Sequence, residues 1–155
     1  MKKLWYYDIQ GLTFGIAVKD DKITDIFIGK KTLPYSSEEK NYISDMTAKC
    51  LREYFRGERI NFDIPIFPEG TEFQKKVWEI TSRIPYGESM TYGDIAQSLG
   101  NKNLARAVGN ALNKNPMLIL IPCHRVVGAS ENKFGFAIGE DMKKMLMNIE
   151  GIYFD

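Results

Sequence analysis

The chain has 155 residues, 44% of them hydrophobic, and a net charge of +1, enough apolar material for one well-packed domain or two small ones. The composition excludes a disordered or low-complexity protein. The longest apolar run, residues 117–121, is too short to cross a bilayer. The N-terminal M-K-K-L-W-Y-Y-D meets Asp8 before a signal-like segment develops, so a cytoplasmic protein with no membrane partner is expected. Two cysteines, Cys50 and Cys123, make no disulfide framework. With the single histidine, His124, they fall short of the four ligands of a structural zinc site, so neither metal nor cofactor is expected.

In chain order, K-L-W-Y-Y-D-I and L-T-F-G-I-A-V-K alternate as strands about a Gln10-Gly11 hairpin turn, and K-I-T-D-I-F-I-G supplies a third strand. Ser36-Ser37-Glu38-Glu39 reads as a helix start. Ile43, Met46, Cys50, Leu51 and Phe55 then recur at helical spacing, which puts Cys50 on a core face. The helix ends near Arg56-Gly57, and I-N-F-D-I-P-I-F reads as a short strand. Pro68-Glu69-Gly70 marks a boundary between a strand/helix scaffold domain over 1–69 and a second domain over 70–155. In the second domain Thr71 caps a helix carrying Phe73, Val77, Trp78 and Ile80, which stops before the turn Ile84-Pro85-Tyr86-Gly87. Thr91 caps a helix from Tyr92 to Leu99, ended by Gly100. Further helices are expected from about Asn103 to Asn113 and from Glu140 to Ile149. The fold class is α/β (α+β): a small mixed strand/helix domain followed by a mainly helical one.

Charge is distributed unevenly. Residues 95–130 contain no Asp or Glu, while Lys102, Arg106, Lys114 and Arg125 fall inside that window, which suits either a polyanion-binding surface or a solvated face. The two central helices are spaced like a helix-turn-helix. On the second, Leu104, Ala105, Val108 and Leu112 share one face, and Arg106, Gly109, Asn110 and Asn113 share the other. Ala105, Ala107, Gly109 and Ala111 keep this helix slim, so it could approach a nucleic-acid backbone closely with one arginine reaching into the base stack. An ordinary packed helix pair fits the same pattern.

The stretch N-P-M-L-I-L-I-P-C-H-R-V-V-G, residues 115–128, brings an oily run to a Pro-Cys-His-Arg turn. A cysteine attacks as thiolate, so a catalytic one needs a base or a cation beside it. His124 and Arg125 offer both within two residues. Adjacent side chains diverge, so His124 would act through a bridging water, and Glu150 on the last helix could orient its imidazole. From the residues alone, Cys123 is either core filler or a nucleophile.

I-P-C-H-R-V-V-G resembles the active-site signature of the O6-alkylguanine-DNA alkyltransferases, the methylated-DNA–protein-cysteine methyltransferases. F-Q-K-K-V-W-E-I, I-P-Y-G-E-S-M-T-Y-G-D-I-A, A-R-A-V-G-N-A-L and N-P follow the family's order and spacing, so the resemblance covers residues 71–151 closely. It implies a ribonuclease H-like first domain and a winged-helix-like second one. It implies a stoichiometric DNA repair reaction, in which the alkyl group of O6-alkylguanine (with O4-alkylthymine as a further candidate) passes irreversibly to the protein. Cys123 would be the acceptor thiolate and His124 its base through water, oriented by Glu150. Asn115 would shape the turn, and Tyr92 would donate toward a ring nitrogen of the departing guanine. Arg106 would fill the gap left by the flipped nucleotide, while Thr91, Tyr92, Gly93, Asn101 and Gly109 would meet the DNA beside it. The partner would be double-stranded DNA carrying the lesion, bound by a monomer.

Where relatives commonly carry a Tyr-Ser-Gly-Gly type segment, this chain has Phe136-Ala137-Ile138-Gly139. With Tyr92, the residues Phe136, Ala137 and Ile138 would line the substrate pocket. The added bulk predicts that methyl lesions are accepted and that benzyl-sized groups react poorly. Three other readings stay open: a lesion-binding protein without transfer chemistry, a winged-helix regulator with a core or redox-sensing Cys123, and a cysteine hydrolase.

Overall fold

The computed structural model describes residues 1–128 and 139–152, and of Glu140 only the backbone. It divides into two compact units, Met1–Glu69 with Pro116–Leu118, and Gly70–Asn115 with Ile119–Asp155. Within the described residues it is a mixed α/β structure, and no helix there is long and apolar enough to cross a membrane.

The first unit is built on a sheet of order β3-β2-β1-β4. Strands β1 (Lys2–Ile9), β2 (Leu12–Lys19) and β3 (Lys22–Ile28) form an antiparallel meander. Both connections are two residues long with φ positive at each: Gln10 at 53° and Gly11 at 73°, then Asp20 at 51° and Asp21 at 60°. That is the primed turn geometry, whose twist matches the twist of the strands it joins. Gly15 lies opposite Phe27, and a Cβ there would run into the aromatic ring, so the glycine lets Phe27 lie against β2. Phe27, Leu4 and Ala17 form a core on one face of the sheet. On the other, helix α1 (Tyr42–Phe55) packs against the strands, with the Phe14 and Phe55 ring centroids 5.8 Å apart.

Three expectations for this unit need correction. Ser36–Glu38 is not a helix start but a short strand, β4, paired parallel to β1 from Lys2↔Ser36 to Leu4↔Glu38. The helix begins later because Asn41 is the better cap, accepting from the Ile43 N–H. The buried stripe of α1 carries Ile43, Ser44, Thr47, Ala48, Leu51, Tyr54 and Phe55, leaving Met46 exposed and Cys50 half-buried. Thr47 and Ser44 occupy core positions because their hydroxyls bond back to Ile43 O and Asn41 O, so their polarity is satisfied within the helix. Residues 60–67 form no strand. A single parallel bridge, Ile23↔Ile66, is all that pairs there, because Pro65 has no N–H to continue a ladder. Pro116–Leu118 belong with this unit through a second bridge, Ile26↔Met117, closed by Ile26 N–H donating to Pro116 O (2.8 Å).

The second unit is mainly helical. Thr71 caps α2 (Glu72–Ser82) and Thr91 caps α3 (Tyr92–Ser98), each in a reciprocal capping box, with Gln74 and Asp94 respectively. A 3-10 turn, Lys102–Leu104, leads into α4 (Ala105–Asn113). The Trp78 indole N–H donates to Ala111 O at 2.9 Å and pins α4 to α2. Two short parallel strands, β5 (Met90–Thr91) and β6 (Val126–Val127), bring the start of α3 beside the segment that follows Cys123. Helix α5 (Glu140–Glu150) ends at Gly151 in the left-handed conformation, with Ile152 N–H bonding Met147 O.

Candidate active site

Cys123–Arg125 form a single 3-10 turn between the oily run and β6. The turn is held from below. The Cys123 N–H donates to Ile121 O at 2.8 Å, and Asn115 Nδ2 donates to that same carbonyl at 2.8 Å. Two residues earlier Ile119 sits at φ 73°, a region that costs a β-branched side chain free energy. The chain thus reverses sharply between Pro116 and Pro122, and Asn115 braces the reversal. Of the expected site residues, Asn115 is joined directly to the cysteine segment.

Cys123 is buried, at 2% exposure, rather than presented at the open surface. Burial pushes its thiol up to about 11, while a hydrogen bond from Asn115 and the charge of Lys143 pull the other way. His124 is fully buried beside it, and its Nε2 meets Glu150 Oε2, also fully buried. Burial holds the imidazole below its ordinary value, and Glu150 opposes that. Glu150 is further fixed by the Gly87 N–H (3.1 Å) and by Arg125, whose Nε lies 2.7 Å from Oε1. The sequence pairing of His124 with a carboxylate 26 positions away is therefore present in the geometry.

The cation expected beside the thiol is a different residue. Arg125 turns toward Glu150 and the Ile84 carbonyl, whereas the positive charge felt by Cys123 is that of Lys143 on α5. Lys143 is fully buried, its Nζ donating to Val126 O at 2.6 Å and lying 5.7 Å from the centroid of the Tyr92 ring. Burial pushes its amine down to about 8, against the pull of Cys123. Sequence reasoning missed this residue. The available signal was its position on α5: Lys143, Leu146, Met147 and Glu150 fall on one helical stripe, and all four are buried.

Tyr92 opens α3, half-buried, with its ring facing Gly109: a Cβ at Gly109 would lie 3.9 Å from it. The helices α3 and α4 thus come together at a glycine. Arg106, Asn110 and Asn113 are exposed along α4, opposite the buried Val108, Ala111 and Leu112. Arg106 forms no ion pair with a described residue. Thr91 and Asn101 each already serve as a cap, accepting from Asp94 N–H at 3.0 Å and Asn103 N–H at 2.9 Å. Gly93 lies in the first turn of α3. Phe136, Ala137 and Ile138 lie outside the described residues. No group of three or more potential metal ligands occurs among the described residues.

The geometry therefore holds a buried thiol, a histidine locked to a carboxylate, a buried amine next to a tyrosine, and an exposed cationic helix face. A family model described as "6-O-methylguanine DNA methyltransferase, DNA binding domain" matches residues 72–152. A methylated-DNA–protein-cysteine methyltransferase of Methanosarcina acetivorans is 46% identical over 132 residues, covering 84% of this chain and 85% of that protein. The constitutive methylated-DNA–protein-cysteine methyltransferase of Bacillus subtilis is 41% identical over 145 residues, 88% of each. The crystal structure of the O6-methylguanine methyltransferase of Mycobacterium tuberculosis superposes with a TM-score of 0.87 at 33% identity, covering 97% of this chain and 93% of that one. A structure of the same Mycobacterium tuberculosis protein in complex with DNA gives 0.83 at 32% identity, with 96% and 92% coverage. The chain belongs to the methylated-DNA–protein-cysteine methyltransferase family.

Proposed function

We propose that this chain repairs double-stranded DNA by moving the alkyl group of O6-alkylguanine, a methyl in the simplest case, onto Sγ of Cys123, once per molecule. The observation that carries the reading is the buried Cys123 thiol beside a His124–Glu150 pair, in a chain of this family. A thiol held near 11 is protonated at neutral pH, so its proton must leave as it attacks. His124 takes that proton, through a bridging water, with Glu150 fixing the ring. The S–C bond forms as the C–O6 bond breaks, and the electron pair of the broken bond stays with the guanine oxygen. The Tyr92 hydroxyl supplies a proton at a ring nitrogen, so the base leaves neutral. Lys143, whose Nζ lies 5.7 Å from the Tyr92 ring centroid and whose charge acts on the thiol, stabilises negative charge on either partner. The product is a thioether, which water does not cleave, so the protein is consumed.

The reactive carbon cannot be reached inside a stacked duplex, so the nucleotide must be turned out. Arg106, exposed on the slim face of α4, would fill the vacated space. Thr91, Gly93, Asn101 and Gly109 would contribute backbone and small-residue contacts that let α3 and α4 approach the DNA. Phe136, Ala137 and Ile138 would complete the pocket wall with Tyr92. O4-alkylthymine is a second candidate substrate, and a monomer is the working state. We read the first unit as ribonuclease H-like, supported by its β3-β2-β1-β4 order with one parallel edge strand, and the second as winged-helix-like, supported by the α3–α4 pair beside β5 and β6.

The test is intact-protein mass spectrometry after mixing the protein with a duplex carrying one O6-methylguanine. A gain of one methyl group on Cys123, absent in Cys123→Ser, is the expected result. Binding without a mass change would mean a lesion-binding protein, and turnover beyond one equivalent would mean a hydrolase.

A further inference from the structure

Arg125 follows the Cys123-His124 pair but has no part in the transfer step described above. Its side chain is nevertheless tightly engaged, at 13% exposure. Nε donates to Glu150 Oε1 at 2.7 Å and Nη2 donates to Oε2 at 3.2 Å, the two-armed fork that a guanidinium makes with a carboxylate. The third nitrogen, Nη1, donates to the Ile84 carbonyl at 2.6 Å, just beyond the end of α2. The guanidinium carbon, Cζ, lies over the Tyr86 ring, 5.8 Å from its centroid, and the Tyr86 hydroxyl donates to Ile149 O at 3.1 Å. Glu150 Oε2 is thus shared between Arg125 and His124, and Oε1 between Arg125 and the Gly87 N–H.

Two consequences follow from the sharing. A carboxylate gripped by a planar fork has one orientation, so the imidazole bonded to it has one as well. A carboxylate whose charge is divided between a guanidinium and an imidazole attracts a proton to the imidazole less than a carboxylate facing it alone. We propose that Arg125 is a positioning residue of the transfer reaction: by holding both oxygens of Glu150 and the Ile84 carbonyl in one fork, it fixes the carboxylate that orients His124 and divides that carboxylate's charge between itself and the imidazole. The role rests on the reading of His124 as the acceptor of the Cys123 proton.

The charged groups that bear on His124 are Glu150 and Lys143 from α5, and Arg125 from its own turn. Burial and the two cations keep the imidazole neutral, and Glu150 alone works toward protonation. Removing the Arg125 charge therefore raises the pH at which His124 takes up a proton. A protonated imidazole accepts no proton from the thiol, so the acid limb of the transfer reaction moves to higher pH in the same step.

His124 is the only histidine in the chain, so nitrogen NMR of the histidine-labelled full-length protein reads its titration with no ambiguity of assignment. The variants are Arg125→Gln, which removes the charge, and Arg125→Lys, which keeps a charge but cannot make the fork. Folding is verified by near-ultraviolet circular dichroism. The expected result is a rise in the imidazole midpoint of about one pH unit in Arg125→Gln and a smaller rise in Arg125→Lys. The acid limb of methyl transfer should move by the same amount, and the rate at high pH should also fall several-fold in Arg125→Gln, because the imidazole loses its fixed orientation while both proton-transfer partners remain. An unchanged midpoint in whichever variant folds overturns the proposal, as does a rate loss that is equal at every pH, which is what a purely structural clamp would give. Failure of the parent protein to take up a methyl group removes the functional reading instead, and the substrate-free titration separates that failure from this one.

Discussion

Replacing Lys143 with methionine should slow transfer while costing little stability near neutral pH. The amine is fully buried, and burial lowers it from 10.5 to about 8, which corresponds to roughly 3 kcal/mol against carrying the charge there. Methionine removes that cost, but it also removes the bond to Val126 O, worth about 1–3 kcal/mol when a buried carbonyl is left unpaired. The two terms nearly cancel at pH 7. Their pH dependence does not cancel. Between 8 and 10.5 the unfolded chain holds a proton that the folded chain has released, so the parent gains stability as pH rises through this window. The buried thiol, raised from 9.0 to about 11, acts in the opposite sense above 9, which leaves roughly pH 8–9 as the clean interval. Methionine has no proton to release, so its stability relative to the parent should fall by about 1 kcal/mol between those two pH values. Urea denaturation of both proteins at pH 7, 8 and 9 under reducing conditions measures this directly. Transfer at pH 7 should fall about tenfold or more, the effect of withdrawing ~1.4 kcal/mol of charge stabilisation from the reacting sulfur. A stability difference that stays constant with pH, together with unchanged transfer, would refute the account of Lys143 as a buried cation acting on Cys123.

Asn115→Ala should destabilise the fold by about 1–2 kcal/mol by removing the donor to Ile121 O, and should move the reaction of Cys123 with a small thiol reagent to higher pH, because Asn115 helps hold the thiol down. An unchanged denaturation midpoint would mean that the brace under the cysteine turn is dispensable. Arg106→Ala should reduce transfer from a duplex by about tenfold or more while leaving transfer from the free base O6-methylguanine within about twofold, since only the duplex requires a nucleotide to be turned out. Equal losses on both substrates would show that Arg106 acts on the fold rather than on the DNA.

The features read correctly from sequence are those whose cause is local. The Thr71 and Thr91 caps and the Gln10-Gly11 turn are fixed by a few neighbouring residues. Ser36–Glu38 failed as a helix start because its fate is set by pairing with Lys2–Leu4, more than thirty residues away, which no local pattern announces. Cys50 and Met46 failed as core residues because Ser44 and Thr47 satisfy their own hydroxyls and can be buried in their place. In the site, Cys123 and His124 stood out as neighbours, and Glu150 was expected as the orienting carboxylate. Lys143 did not stand out, because a lysine on a helix reads as solvated surface until its neighbours on the same stripe are counted. The bonding of Arg125 to Glu150 rather than toward the thiol depends on where the end of α2 places the Ile84 carbonyl, and that is a tertiary fact.

The ladder between β5 and β6 is only two residue pairs long, Met90↔Val126 and Thr91↔Val127. Tyr92 follows immediately after the first strand, and Cys123 lies three positions before the second. A slip of one pair would carry Tyr92 and the cysteine turn past each other by about 3.3 Å, the rise of one strand residue, and so away from their present neighbours at once. The placement of Tyr92 relative to Cys123 is therefore encoded as a count of residues. Substitutions of similar size within Met90–Thr91 or Val126–Val127 leave that count intact, whereas one inserted or deleted residue between Cys123 and Val126 should change it even with every side chain of the proposed site still present. In evolutionary terms, the short spacers flanking this ladder should change in sequence far more readily than in length.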